Sequence, residues 1–410
     1  MSMKKYLISS ILILTLGLSI PSFAATRGDA AQNLGRKIIV WKQNADEGTA
    51  RAFARSHATE LKYLPLVRVS VIEVSSQAQL TALSSSPDVA SITDDPIASI
   101  TLVDRRDIAR ESSRSAARGR GGSSTPAPQV TPWGISDINA PAVWAHNNTG
   151  DPIKVGIIDT GISSSHPDLA ANIKGGINTI KPSRGWDDDN GHGSHVAGTI
   201  AALNNTQGVV GGAPQADLYA IKVLNSAGSG YYSDIIEGLQ WAIDKHLQVV
   251  NMSLGGTSDY GPLHDAITAA RNAGILVVAA AGNSGGSVIY PAAYPEALAV
   301  SALDSSHTLA SWSSRGPEVD LSAPGVSIYS TYKGTGYATL SGTSMATPHV
   351  VASAVLLLNS AVSSYDINSN GQWDPSEAMQ KLENTASDLG VSGPDTLYGF
   401  GLVNALAATQ

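Results

Sequence analysis

The chain has 410 residues, 42% hydrophobic and 15% charged, with 40 Gly, 20 Pro and no Cys. That length allows roughly two or three domains, and the absence of Cys excludes a disulfide scaffold, a thiol nucleophile and a thiolate metal site. The net charge of −8 argues against a nucleic-acid binder that works by bulk charge, and the hydrophobic fraction argues against wholesale disorder.

The charge is unevenly split. Up to Pro128 there are 16 Lys/Arg against 11 Asp/Glu, a formal +5; from Gln129 onward there are 10 against 23, a formal −13, and the two sum to −8. A basic leader and an acidic body can attract each other.

In chain order, Lys4 and Lys5 precede an apolar run from Tyr6 to Ile20, then Pro21, Ser22, Phe23, Ala24 and Ala25. This reads as a secretory signal over 1–24, cut after Ala24. At about 15 residues the run is short of the roughly 20 that span a bilayer, so no membrane segment is expected after its removal. Residues 25–103 predict a small α+β unit: strand Arg36–Trp41, helix Gly48–Ala58, strand Val67–Val74, helix Gln77–Leu83, then one or two strands within Val89–Ile100. Residues 104–128 carry Arg105, Arg106, Arg110, Arg114, Arg118 and Arg120 among Ser, Gly and Pro, and predict a disordered linker open to proteolysis.

Residues 129–410 alternate continuous apolar strands with helices. The strands are Lys154–Ile158, Leu218–Val223, Val249–Met252 and Ile275–Ala281; the helices are His195–Leu203, Ser233–His246 and Leu263–Ala273. The expected fold class is α/β, a parallel sheet with helices on both faces.

Three motifs carry chemistry here. Asp159-Thr160-Gly161 follows a strand, His192-Gly193-Ser194-His195-Val196-Ala197-Gly198 opens a helix, and Gly342-Thr343-Ser344-Met345-Ala346-Thr347-Pro348-His349 opens another. A serine hydroxyl needs a base to take its proton, and the base needs a carboxylate to fix its tautomer. Singly, each motif reads as a turn former, a satisfied histidine or a helix cap. Together, in the order Asp, His, Ser, they resemble the subtilisin family of serine proteases. A fourth motif, Ala279-Ala280-Ala281-Gly282-Asn283-Ser284-Gly285, extends the resemblance, which runs over 129–410. It implies that Asp159 orients the imidazole, His192 is general base and acid, and Ser344 is the nucleophile. Asn283 and the Ser344 N–H would hold the oxyanion.

The resemblance also maps a cleft for extended peptides. Ser253, Leu254, Gly255 and Gly256 would form one wall of the primary pocket. The edge at Gly230 would pair with substrate, and Tyr232, Ile235 and Leu254 would form an apolar pocket three residues further along. Ile289 stands where some relatives carry Gly, and the loop from Asn283 to Tyr290 is shorter than in bacillary members. A loose preference for apolar side chains is expected.

Structural calcium is expected at two places. Asp366 to Glu377 matches the twelve-residue cation loop D-x-[DN]-x-[DN]-G-x5-E. Asp366, Asn368, Asn370, Asp374 and Glu377 would offer side-chain oxygens and Gln372 a carbonyl, with Gly371 at the turn. The resemblance implies the second site: side chains of Gln129, Asp168 and Asn205 with carbonyls of Leu203, Gln207 and Val209. Asp187-Asp188-Asp189 is a weaker third candidate. The resemblance further implies that 25–103 is an inhibitory propeptide, processed near Leu102 or Val103 or later near Pro128. Protein substrates and its own propeptide are the expected partners. No nucleic acid is expected, and a monomer is the default. Two alternatives stay open: an esterase using Ser284 with Asp304 and His307, and a non-catalytic binding protein.

Overall fold

The computed structural model describes residues 34–100, 103, 128–362 and 364–410. The signal expected at 1–24, and all of the expected linker except Pro128, lie outside the described residues.

The N-terminal unit runs β1 (Gly35–Trp41), α1 (Glu47–His57), β2 (Thr59–Leu64), β3 (Val69–Val74), α2 (Gln77–Ser84) and β4 (Val89–Asp94). Its described strands form an antiparallel sheet in the order β2-β3-β1-β4. Successive strand residues face opposite ways. Thus Ile39, Trp41, Ile72 and Val74 pack with Ala50 and Ala54 of α1 and Leu83 of α2. Ile38, Val69 and Val71 face the other way and join a core shared with the large unit. Strand β2 was not legible in the sequence. It is an edge strand with exposed Thr59 and Leu61, so it shows no buried alternation.

The chain then passes through β5 (Ile97–Ser99), α3 (Trp133–Asp137) and α4 (Ala140–Trp144) into the large unit. There follow β6 (Lys154–Asp159), β7 (Ile173–Asn178), α5 (His192–Ala201), β8 (Asp217–Lys222), β9 (Ser229–Tyr231), α6 (Tyr232–Asp244), β10 (Val249–Met252) and α7 (Gly261–Asn272). Next come β11 (Leu276–Ala280), β12 (Ala297–Leu303), β13 (Val319–Pro324), the hairpin β14 (Ile328–Thr331) and β15 (Tyr337–Leu340), α8 (Thr343–Leu358), α9 (Pro375–Asn384) and α10 (Ala405–Ala408). Among the described residues, seven strands form one parallel sheet, ordered β13-β12-β11-β10-β6-β8-β7.

Neighbouring residues on a strand enter separate cores. Ile157, Val249 and Val278 pack with Val196 and Ile200 of α5 and Val350 of α8. Ile158, Val250 and Val277 pack with Ile235 and Leu239 of α6 and Leu263 and Ile267 of α7. Burial on both faces is why these strands read as unbroken apolar runs. Strands β7, β12 and β13 were missed for want of that signal: β7 holds two glycines, β12 is rich in Ala, and β13 carries Asp320 and ends on a proline.

The two units meet along α6. Asp95 accepts the Ser233 N–H at 3.1 Å and the Ser233 hydroxyl at 2.7 Å, at the start of the helix. Arg36 bridges Asp95 at 2.6 Å and Asp234 at 3.1 Å, while Lys62 reaches Asp234 at 2.6 Å and pairs with Glu237. Two cations of the basic leader thus meet acids of the body.

Asp320 on β13 accepts the Ala299 N–H at 2.7 Å. Burial pushes its carboxyl up to about 7 against that hydrogen bond, and Glu383 adds to the rise. Burial takes Glu383 itself to about 7. An acid with a raised folded pKa gives stability that is present below its unfolded value and lost as pH climbs through the folded one. Asp320→Asn keeps an acceptor and carries no charge. It is expected to raise the melting temperature at about pH 8 and not at about pH 4. Equal shifts in melts at both pH values would refute this account.

Candidate active site

The strand order turns back beside β6: β8 and β7 lie on one side, β10 onward on the other. At such a switch point the carboxyl ends of parallel strands open a crevice. Asp159 ends β6 and Ser253 follows β10, so both face it.

Asp159 is fully buried, and both carboxylate oxygens lie 2.9 Å from Nδ1 of His192. The Thr160 N–H donates to Oδ1 at 2.7 Å and fixes the carboxylate. His192 opens α5 directly after Gly191, whose φ is +115°. A Cβ on Gly191 would sit 2.4 Å from the Tyr332 ring, so glycine is required there. The other two histidines of these motifs are excluded by burial. It lowers the His195 pKa to about 3 and that of His349 to about 4. His195 donates from Nε2 to the carbonyls of Ile328 at 3.0 Å and Ala338 at 3.2 Å.

Ser344 is the second residue of α8 and 3% exposed. Its backbone N–H belongs to the first turn, where helices leave donors without intrahelical partners. Its hydroxyl donates to the Ser253 carbonyl at 3.1 Å. Four residues on, Pro348 has no N–H with which to bond the Ser344 carbonyl. The Ser253 hydroxyl donates to that carbonyl instead, at 2.9 Å. Asn283 accepts the Thr343 N–H at 2.8 Å and the Thr343 hydroxyl at 2.9 Å through Oδ1, which fixes the direction of its Nδ2 donors.

Asp188, which the sequence offers only within a third calcium candidate, makes contacts of another kind. Its Oδ1 accepts the Thr160 hydroxyl and the N–H groups of Asn190 and Gly191, each at 2.9 Å. Its Oδ2 accepts the Ser194 N–H at 2.9 Å and the Ser194 hydroxyl at 2.6 Å. One carboxylate, 6% exposed, thereby ties the loop after Asp159 to the start of the His192 helix. The neighbouring acids are also engaged: Asp187 accepts the Ser164 N–H at 2.7 Å and Asp189 pairs with Lys222 at 2.7 Å. The three do not converge on one point, so the third calcium candidate is withdrawn.

The cleft holds the chain's own segment 97–100. Strand β5 pairs antiparallel with β9, Ala98 opposite Gly230. On its other side Ser99 exchanges two hydrogen bonds with Gly255, each 3.1 Å, and the Ile100 N–H reaches the Gly228 carbonyl at 2.9 Å. Ala98 is fully buried in the core that contains Tyr232, Ile235 and Leu254. Gly256 pairs with Tyr290 through two bonds of 2.9 Å, which closes the far end of that wall beside Ile289.

A sequence model of the subtilase family matches residues 150–401. The chain is 49% identical over 283 residues to Subtilisin Savinase of Lederbergia lenta, covering 69% of this chain and 100% of that protein. It is 49% identical over 283 residues to an alkaline protease of Shouchella clausii, covering 69% of this chain and 70% of that one. Subtilisin E of Bacillus subtilis is 48% identical over 288 residues, at 69% and 72% coverage. The chain belongs to the subtilase family. It is a subtilisin-like serine endopeptidase, and peptides are its substrates.

The subtilase's expected metal residues fall into two groups. The Gln129 amide lies 2.8 Å from the Leu203 carbonyl, 3.2 Å from that of Val209 and 3.4 Å from Asn205 Oδ1. Asn205 bonds Asp168 at 2.8 Å, and the Gln207 N–H meets Asn205 Oδ1 at 2.8 Å. In the twelve-residue loop, Asp366 accepts the N–H groups of Asn370 and Gly371 at 3.0 Å each, and Asn368 accepts that of Asn370 at 3.0 Å. Gly371 has φ +74°. The Gln372 N–H donates to Asn370 at 2.7 Å, and Asp374 faces the side-chain amides of Asn368 and Asn370. Glu377, 3% exposed, accepts the N–H groups of Ile367 at 2.8 Å and Asp374 at 3.1 Å.

The esterase alternative finds its groups apart. Ser284 meets Ser314, Asp304 accepts the N–H groups of Ser306 and Thr308, and His307 pairs with Asp137 at 2.9 Å.

Displacing the imidazole by a fraction of an ångström is costly to a reaction that depends on alignment. Asp188→Ala is therefore expected to lower kcat about 100-fold with KM within a few-fold, and Asp188→Asn, which keeps one acceptor, to recover part of that loss. A variant with full kcat per labelled active site, and only a lowered melting temperature, would remove Asp188 from the positioning role.

Proposed function

We propose that this subtilase is a secreted, calcium-stabilised endopeptidase, made as a precursor whose residues 25–103 block its own cleft. The observation that carries the catalytic reading is the buried Asp159 against Nδ1 of His192, together with a serine that opens a helix and bonds Ser253 after β10.

The reaction follows from the groups at hand. A substrate strand lies between Ser229–Tyr231 and Ser253–Gly255. The residue opposite Ser253 gives its N–H to the Ser253 carbonyl and takes the place of the Ser344 hydroxyl there. The hydroxyl turns to Nε2 of His192, loses its proton and attacks the substrate carbonyl carbon. Asp159 stabilises the imidazolium that forms. The Ser344 N–H and Asn283 Nδ2 stabilise the oxyanion. His192 then protonates the leaving amine, and water, activated by the same imidazole, releases the acyl group.

The pairing of segment 97–100 within the cleft supports the inhibitory role. It runs in the register of a substrate, with strand addition on both sides. Counting on from Ser99 opposite Gly255, the residue due opposite Ser253 is Thr101 by sequence. We place the first cut at the Thr101–Leu102 bond, with later removal of the Arg-rich segment up to about Pro128. Export is supported by the reading of 1–24, and among the described residues no helix is long and apolar enough to cross a membrane.

For calcium, both groups are built from carboxylates, side-chain amides and main-chain carbonyls, whose oxygens are the donor set of a hard cation. Among the described residues no group of three or more His, Cys, Asp or Glu could hold a metal, so amides and carbonyls must carry much of each site. Turning the Gln129 amide aims its oxygen at the point where the Leu203 and Val209 carbonyls and Asn205 Oδ1 already converge, beside Asp168. In the second group Asp366, Asn368, Asn370, Asp374 and Glu377 ring the loop, with the Gln372 carbonyl. Calcium there would clamp loops and take no part in the chemistry.

A fluorophosphonate is expected to label Ser344 in the processed enzyme, and Ser344→Ala to leave the precursor uncut. Label on Ser284, or none on propeptide-free protein, would overturn the catalytic reading. Chelation is expected to lower the apparent melting temperature by roughly 5–10 °C. Gln129→Ala should shrink that shift and leave the calcium-free melting temperature nearly unchanged; an undiminished shift would exclude Gln129 as a ligand.

A further inference from the structure

Ile289 stands at the far end of a slot beside the nucleophile. One wall is Ser253–Gly255; the other is the turn from Ala281 to Asn283. The Ile289 N–H bonds the Ala281 carbonyl at 3.0 Å, and the next residue, Tyr290, pairs twice with Gly256 at 2.9 Å. The Ile289 carbonyl accepts the Ala293 N–H at 3.0 Å. Its backbone is thus held from three directions.

Both walls show bare glycine backbone to the slot, and the isoleucine fills the space this leaves. A Cβ on Gly255 would lie 2.7 Å from Cδ1 of Ile289 and 3.0 Å from its Cγ1. A Cβ on Gly282 would lie 3.2 Å from Cγ2 and 3.3 Å from Cδ1. One side chain therefore spans the slot from wall to wall. Isoleucine is branched at Cβ and stiff at χ1, and its pinned backbone gives it no other way out. The loop ahead of it is anchored too, by Gly285 N–H on the Trp312 carbonyl at 2.7 Å and Arg315 N–H on that of Gly286 at 2.9 Å.

The slot opens between Ser253 and Asn283, the residues on either side of Ser344. Its occupant is the side chain of the residue that becomes acylated. We propose that Ile289 restricts this subtilase to bonds that follow a small residue: Gly, Ala, Ser or Thr. Bonds after Phe, Tyr or Leu are rejected, because their side chains need the volume that Ile289 occupies. This narrows the loose apolar preference expected from the sequence. The chain's own sequence is consistent with it, since the residue two beyond Ser99 is Thr101. The inference rests on the endopeptidase reading of Ser344.

The test is a series of nitroanilides Ala-Ser-Ile-X, built on residues 98–100, with X as Ala, Thr, Leu or Phe. Enzyme is counted by fluorophosphonate label on Ser344. Wild type is expected to favour Ala over Phe in kcat/KM by about 10-fold or more. Ile289→Gly is expected to shift the Phe-to-Ala ratio by about 100-fold toward Phe. Ile289→Val, which removes one methyl group, should move the Leu-to-Ala ratio the same way by a smaller factor, and serves if the glycine variant does not fold. Labelled wild type that prefers Phe, or a ratio that neither variant moves, overturns the proposal. Absence of label and of cleavage with every X overturns the reading of Ser344 beneath it.

Discussion

The site depends on one constraint: parallel strands all end on the same side. Where their order reverses beside β6, the carboxyl ends of β6 and β10 border a gap. The gap receives Asp159 from one strand end and Ser253 from the other. Two helices begin there, and their first turns supply His192 and Ser344. Each of these residues is local to its element, yet 33 residues separate Asp159 from the histidine it touches. Asp188 closes that gap chemically, since its hydrogen bonds reach Thr160 on one side and Gly191 and Ser194 on the other.

The edges of the crevice also hold the chain's own segment 97–100. Segment 97–100 uses main-chain bonds to Gly228 and Gly255, which any peptide could make. What distinguishes it is the body behind it. Arg36, Lys62 and Asp95 fix the small sheet on α6, and Asp95 caps that helix with a carboxylate from the other unit. A carboxylate at a helix start gains from the helix dipole as well as from the hydrogen bond. Segment 97–100 is thus held in register by contacts remote from it.

Much of this was legible in the sequence. The α/β fold followed from continuous apolar runs alternating with helical ones, because strands buried on both faces must read that way. Asp159, His192, Ser344 and Asn283 stood in motifs whose order carried the resemblance. Strands without that signal were not legible: β2 is a polar edge, β7 is rich in glycine and β13 bears an acid. Asp188 was hidden because its role is a set of contacts to residues 160 to 194, and an acid among acids reads as a solvated turn. The packing of Ile289 needed the two glycine faces that it fills, which come from separate strand ends.

Pro348 has a consequence of its own. A proline inside a helix is normally a defect, and most replacements would restore a main-chain bond and strengthen α8 by itself. Here the missing bond leaves the Ser344 carbonyl open to the hydroxyl of Ser253. The helix gives up regularity at its sixth residue so that its second can be tethered to the residue that follows β10. A change that improves the element would loosen the joint between elements. Local stability of α8 and the tie between Ser344 and Ser253 are in opposition at this position, and the protein has settled on the weaker helix.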